Sequence, residues 1–138
     1  MLKDIGEVIS AAAYYLGYDA CTAVPEQGEK ILELLEKQKP AVKLYNSEGT
    51  VDRLAGGEVA MQQMWNGSFH RAHKKLASLV YLFPKEGINL WGDNLAVPKG
   101  AKNVESAKAF LSWMMDPKNA AEASNFTGYN NAISGADA

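Results

Sequence analysis

The sequence predicts an α/β fold, because segments with the two-residue periodicity of strands alternate along the chain with segments of helical periodicity. Its 138 residues can enclose one core, since folding a chain of this length buries roughly two-thirds of the unfolded surface. Hydrophobic residues make up 47% and charged residues 22%, as in ordinary globular domains. We therefore expect one α/β domain over residues 1–138, with a central mixed sheet of about five strands flanked by helices.

Two helices are predicted in the first part of the chain. From Asp4 the pattern is helical, because apolar residues recur at intervals of three and four between Ile5 and Leu16. Gly17 is well placed to end this helix. Pro25 suits the first turn of a second helix, which is expected to stop before Pro40.

The middle of the chain predicts two strands and two short helices. Residues 41–45 and 59–65 have strand patterns, and residues 51–54 between them form a brief helix that two glycines can close. After Trp65, the helical pattern of residues 68–75 makes Asn66-Gly67 a strand-to-helix turn rather than a hairpin.

Two further strands and two helices are predicted in the last part of the chain. Residues 79–83 and 88–97 form the strands. Asn103 is placed to cap the next helix, and Asp116-Pro117 starts a short helix that ends near Gly128.

The strand pattern of residues 88–97 contains a candidate binding site. Trp91 and Asp93 are two residues apart, so in a strand their side chains point to the same side. An indole attracts an organic cation through its quadrupole and covers apolar carbon, while a carboxylate neutralises the charge. Trp65, at the end of an earlier strand, is a candidate second wall, since ligand sites in such sheets lie at the carboxyl ends of strands.

Asp4 and Glu7 allow two interpretations. They share the first turn of the first predicted helix, where carboxylates are favoured by the helix dipole. They also form a pair of anions that a cationic ligand can contact. Position alone favours the first interpretation.

The same sequence disfavours several functional classes. The chain has 14 basic and 16 acidic residues and a net charge of −2, which does not suggest a nucleic-acid surface. Its apolar runs are too short for a membrane helix, its N-terminus, Met1-Leu2-Lys3-Asp4, lacks the apolar segment of a signal peptide, and its single Cys21 cannot form an internal disulfide. His70 and His73 have a spacing that metal sites use, but no further ligand pattern accompanies them. Without a phosphate loop, zinc spacing or nucleophile motif, we expect neither an enzyme nor a cofactor.

A set of short motifs carries a family resemblance. In chain order they are Asp4-Ile5-Gly6-Glu7-Val8, Leu16-Gly17-Tyr18, Tyr45-Asn46-Ser47, Gly57-Glu58-Val59, Met64-Trp65-Asn66-Gly67-Ser68, Phe83-Pro84-Lys85-Glu86-Gly87, Trp91-Gly92-Asp93-Asn94-Leu95-Ala96-Val97-Pro98, Asp116-Pro117 and Thr127-Gly128-Tyr129. Together, in this order and spacing, they resemble the bacterial spermidine/putrescine-binding proteins, the receptors of polyamine ABC importers.

The resemblance implies one lobe of a type II periplasmic binding protein. It covers the C-terminal ligand-binding lobe, so the first lobe and the closing C-terminal helices are absent from this chain, and residues 1–3 are shorter than the first strand of the family. The ligand contacts that it implies are the carboxylates and aromatic rings of Asp4, Glu7, Asp93, Trp65, Trp91 and Tyr129.

The resemblance also implies partners and a location. The ligand is a polyamine such as spermidine or putrescine, held in a cleft between the two lobes. The other partners are the missing first lobe and the membrane subunits of the transporter, in a protein of the periplasm. The uncovered cleft surface of an isolated lobe is expected to favour self-association.

Two alternatives are left open. One is a related ligand such as 4-aminobutyrate, whose carboxylate Arg71 would bind if it faced the cleft. The other is a protein-interaction domain that uses exposed tryptophans to bind another polypeptide.

Overall fold

The computed structural model describes residues 1–136, which contain six α-helices and one 3₁₀ helix joined by irregular segments. The elements are α1 (Ile5–Tyr15), α2 (Pro25–Gln38), the 3₁₀ helix (Lys39–Ala41), α3 (Thr50–Ala55), α4 (Asn66–Lys75), α5 (Val104–Met114) and α6 (Pro117–Thr127). The chain divides into two compact units, Met1–Leu90 with α1 to α4 and Trp91–Ala138 with α5 and α6. No helix within the described residues is long and apolar enough to cross a membrane.

The predicted helices are confirmed, and local chemistry explains their ends. The Asp4 side chain accepts hydrogen bonds from the backbone N–H groups of Gly6 and Glu7 at the start of α1. The chain leaves α1 through Gly17, whose φ of 74° is left-handed and favours glycine. Pro25 occupies the first turn of α2, where its missing N–H costs no helical hydrogen bond.

The prediction of a central mixed sheet is wrong, because no strand forms within residues 1–136. The segment 41–45 begins in the 3₁₀ helix, and the segments 59–65, 79–83 and 88–97 have irregular backbone. Alternation of apolar and polar residues determines which side chains face the core, but a strand also needs a neighbouring segment that pairs with its backbone N–H and C=O groups. These segments do not form that ladder.

Side-chain alternation is nevertheless present in residues 79–82. Leu79 and Tyr81 pack against a buried cluster of Leu54, Met64 and Ala72. Val80, which lies between them, is 76% exposed, and Leu82, which follows Tyr81, is 79% exposed. The side chains of residues 79–82 therefore alternate between the core and solvent as in a strand, although the segment pairs with no neighbouring strand within the described residues.

The start of the chain runs beside residues 44–47. The amino group of Met1 donates to the carbonyl oxygen of Leu44 at 3.1 Å, and the N–H of Asn46 donates to the Met1 carbonyl at 3.1 Å. This pair of hydrogen bonds resembles one step of a parallel strand pairing. The pairing does not continue, because the N–H of Lys3 donates to a side chain, Ser47 Oγ, at 2.8 Å instead of to a backbone carbonyl. Leu2, only 1% exposed, anchors this segment.

A second buried cluster joins α1 and α2. It consists of Ala12 and Ala13 from α1 and Ile31 from α2, and half-buried residues such as Leu16 and Tyr18 pack around it. This packing holds α1, and with it Asp4 and Glu7, against the rest of the first unit.

In the second unit, α5 packs against α6. Asn103 precedes α5 as predicted, but its side chain forms no capping hydrogen bond. The helix α6 starts after Asp116 and ends at Gly128 as predicted; the Asp116 side chain caps its start, and Gly128 has a φ of 79°. The rings of Phe110 and Trp113 stack with centroids 6.1 Å apart, and both remain about half exposed.

Candidate functional site

An open groove with a cavity volume of about 630 Å³ lies in the first unit. Its lining comprises Lys3, Asp4, Leu44, Tyr45, Asn46, Ser47, Glu48 and Trp65. The contacts between residues 1–3 and residues 44–47 bring two distant parts of the chain to this groove. Two of the predicted site residues, Asp4 and Trp65, therefore share one surface.

Asp4 both caps α1 and lines the groove. Its Oδ1 accepts the backbone N–H of Gly6 at 3.0 Å and that of Glu7 at 3.3 Å. Both capping bonds use the same oxygen, and an ionised carboxylate has lone pairs on two oxygens. The cap therefore leaves Oδ2 of this exposed side chain able to accept a hydrogen bond from a ligand cation.

Trp65 immediately precedes α4. Its φ of −73° and ψ of 149° are extended rather than helical, and its side chain is half-buried. Trp65 is therefore partly packed against the protein while it also lines the groove. An indole and a carboxylate on one groove are the combination that an organic cation with an apolar stem requires.

Glu7 does not belong to the lining of this groove. Its Oε2 accepts a hydrogen bond from Asn89 Nδ2 at 2.8 Å, and its backbone oxygen accepts one from Gln63 Nε2 at 3.2 Å. The segment before Asn89 passes close to α1 as well. A Cβ added at Gly87, whose φ is 137°, would lie 3.2 Å from the ring of Tyr14, so this close approach requires glycine.

Trp91, Asp93 and Tyr129 belong to the second unit. The rings of Trp91 and Tyr129 make an edge-to-face contact, with centroids 6.4 Å apart and an interplanar angle of 74°. Trp91 is 49% exposed and Asp93 is exposed, so both are accessible on this unit. That Asp93 shares an open surface with Trp65 stays a prediction.

Residues 44–48 contribute to the groove, although none of them was a predicted site residue. Asn46 Oδ1 accepts the backbone N–H of Glu48 at 2.9 Å, which forms a local turn, and Ser47 Oγ accepts the N–H of Lys3. The available signal was the Tyr45-Asn46-Ser47 motif, which pointed to the family without assigning a role to any of its residues.

The described residues contain no group of three or more His, Cys, Asp or Glu side chains that could hold a metal ion. His73 Nδ1 lies 3.1 Å from the carbonyl oxygen of Leu79. Arg71, the residue considered for a ligand carboxylate, donates from Nη2 to Ser68 Oγ at 3.1 Å within α4 and does not line the groove.

Residues 5–138 match the family of bacterial extracellular solute-binding proteins. The match covers nearly the whole chain, and the chain therefore belongs to this family. All the candidate ligand contacts except Asp4 lie inside the matched range.

Individual curated relatives show a similarity to one group within this family, the spermidine/putrescine-binding proteins. The chain is 38% identical over 129 residues to spermidine/putrescine-binding periplasmic protein 1 of Haemophilus influenzae, an alignment that covers 94% of this chain and 36% of the relative. It is 36% identical to the spermidine/putrescine-binding periplasmic protein of Salmonella typhimurium and 33% identical to that of Escherichia coli, in each case over 94% of this chain and 37% of the relative. These matches confirm the resemblance that the short motifs indicated.

The chain spans little more than a third of the length of these curated relatives. They are named as binding proteins of the periplasm rather than as enzymes.

Proposed function

We propose that this chain is the ligand-binding C-terminal lobe of a polyamine receptor that serves an ABC importer. The observation that carries the proposal is the groove in which Asp4 and Trp65 meet. The similarity to spermidine/putrescine-binding proteins, which extends over 94% of the chain, supports the choice of ligand.

A polyamine is recognised by two kinds of contact. An ammonium group donates charge-assisted hydrogen bonds to the free oxygen of Asp4, with Glu48 as a second anion on the same groove. The methylene stem lies on the indole of Trp65, which also attracts the cation through its quadrupole. The helix cap holds the Asp4 carboxylate in place before the ligand arrives, which reduces the entropy lost on binding.

The remaining ligand contacts in the proposal come from the resemblance. Glu7 supplies a third carboxylate, and its hydrogen bond with Asn89 orients that group. Asp93 supplies another negative charge, while Trp91 and Tyr129 supply aromatic faces. The edge-to-face packing of these two rings supports a fixed ring orientation.

Transport requires the rest of the receptor. A first lobe, carried by residues outside this chain, closes over the ligand, excludes water and thereby presents an occupied receptor to the membrane subunits of the importer. The receptor works outside the cytoplasm, in the periplasm, and catalyses no chemical step. On the chain alone, the surface that the first lobe would cover favours self-association.

A titration followed by NMR tests the proposal on the 138-residue chain. Because the groove is open, exposed ion pairs contribute about 0–1 kcal/mol each, so we expect a dissociation constant of about 1 mM or weaker for putrescine and spermidine. The indole signal of Trp65 and the amide signals of Asp4 and residues 45–48 should shift together. The indole signal of Trp113, in the second unit and outside the predicted site, is the internal control.

The control ligand is 1,4-butanediol, which has the length of putrescine without its charges. Equal shifts with the diol, or no shift at Trp65 with either amine, would refute polyamine recognition by this groove. Submicromolar binding by a chain shown to be monomeric would contradict the requirement for a first lobe.

A further inference from the structure

Lys3 places a cation on the same groove as Asp4 and Trp65. Its backbone N–H is held by Ser47 Oγ at 2.8 Å, so the position of its backbone at the groove is restrained while its side chain remains exposed. Within residues 1–136, the Lys3 ammonium takes part in no ion pair, whereas four other lysines do. No carboxylate of the described residues therefore lies within ion-pair distance of the Lys3 ammonium.

The charged residues that line the groove are Lys3, Asp4 and Glu48. One positive and two negative charges leave the lining with a net charge of −1, enough to attract one end of a cationic ligand. Every ligand charge within a Debye length, about 10 Å at 0.1 M salt, is also repelled by Lys3. The total repulsion therefore grows with the number of ammonium groups that the ligand brings to the groove.

We propose that Lys3 is a specificity-determining residue that lowers the affinity of the groove for a triamine more than its affinity for a diamine. This inference rests on the proposed function, because it names which members of the polyamine class the groove accepts. Discrimination of this kind uses a repulsive element in the site in addition to attractive contacts.

The test compares putrescine and spermidine binding to the wild-type chain and to Lys3→Gln, with dissociation constants from the NMR titration. We expect the ratio of spermidine affinity to putrescine affinity to rise about two- to fivefold in Lys3→Gln, the size of one exposed charge interaction. Lys3→Arg keeps the charge and should keep the wild-type ratio.

Lys74→Gln is the matched control, since it removes the same charge near the end of α4, about 13 Å along the helix from Trp65. It should leave the ratio unchanged, and the effect of Lys3→Gln should shrink at about 0.5 M salt, where the Debye length is shorter. An unchanged ratio in Lys3→Gln, or an equal rise in Lys74→Gln, would overturn the inference while leaving the proposed function intact. If the wild-type chain binds neither amine, the proposed function fails and this inference fails with it.

Discussion

Asp4 and Asp116 begin two helices of this protein with the same chemistry. Asp4 Oδ1 accepts the N–H groups two and three residues ahead at 3.0 and 3.3 Å, and Asp116 Oδ1 does the same at 3.0 and 3.4 Å. Both side chains are exposed. As helix caps the two residues are nearly equivalent.

Their surroundings differ. Asp4 shares a groove with Trp65 and with residues 44–48, which come from distant parts of the sequence. Asp116 lies in the short turn between α5 and α6, where Asn119 Nδ2 donates to the Trp113 carbonyl at 2.9 Å, and it does not line that groove. The cap therefore leaves Asp4 able to make the proposed ligand contact, and it is the neighbours from distant parts of the sequence that set Asp4 apart from Asp116.

The largest difference between the two caps is expected in ligand affinity. In a receptor that joins this chain to a first lobe, Asp4→Asn should weaken polyamine binding about ten- to a hundredfold. A charge-assisted hydrogen bond removed from water contributes roughly 1.5–3 kcal/mol. Asp116→Asn is the matched control and should bind as the wild type does in calorimetric titration. Equal losses in the two variants would mean that Asp4 acts only as a cap.

Asp93 extends the comparison to a carboxylate that caps no helix of the described chain. In the same two-lobe receptor, Asp93→Asn should weaken polyamine binding within the same ten- to hundredfold range, because it removes the charge but keeps the shape. Far-UV circular dichroism should show an unchanged helix content. Wild-type affinity for putrescine in this variant would remove Asp93 from the proposed site.

Loss of either cap should lower the free energy of unfolding by a similar amount, in contrast to the different effects expected on ligand affinity. Asp4→Ala and Asp116→Ala should each lower the free energy of unfolding by about 0.5–2 kcal/mol, because each leaves N–H groups at a helix start without a partner. Asp→Asn at either position retains a capping oxygen and should lose less. Urea denaturation of the isolated chain measures both pairs, and a stability loss confined to one cap would show that the two helix starts are not equivalent.

The smallest effect is expected from the hydrogen bond between Asn89 and Glu7. Loss of one such bond is worth about 0.5–1.5 kcal/mol, so Asn89→Leu should weaken polyamine binding in the two-lobe receptor about two- to tenfold. If Asn89 acts by orienting the Glu7 carboxylate, the loss should disappear when Glu7→Gln is already present. Tighter binding by Asn89→Leu would instead indicate that the Asn89 amide competes with the ligand for that carboxylate.

Several helix boundaries follow from local sequence alone. Asp4, Pro25 and Asp116 mark the starts of α1, α2 and α6, and Gly17 and Gly128 mark two of the ends, because caps and left-handed turns depend on residues only a few positions apart. The family resemblance could also be recognised from the sequence, since the short motifs of the family keep their order along the chain.

The backbone pairing and the composition of the groove depend instead on contacts between distant residues. The alternation at Leu79 and Tyr81 was realised in side-chain packing but not in a sheet, because a ladder depends on whether a second segment lies alongside. Similarly, Lys3 and Ser47 meet through a hydrogen bond between residues 44 positions apart. Neither outcome follows from local pattern, because each depends on which distant residues the packed helices bring together.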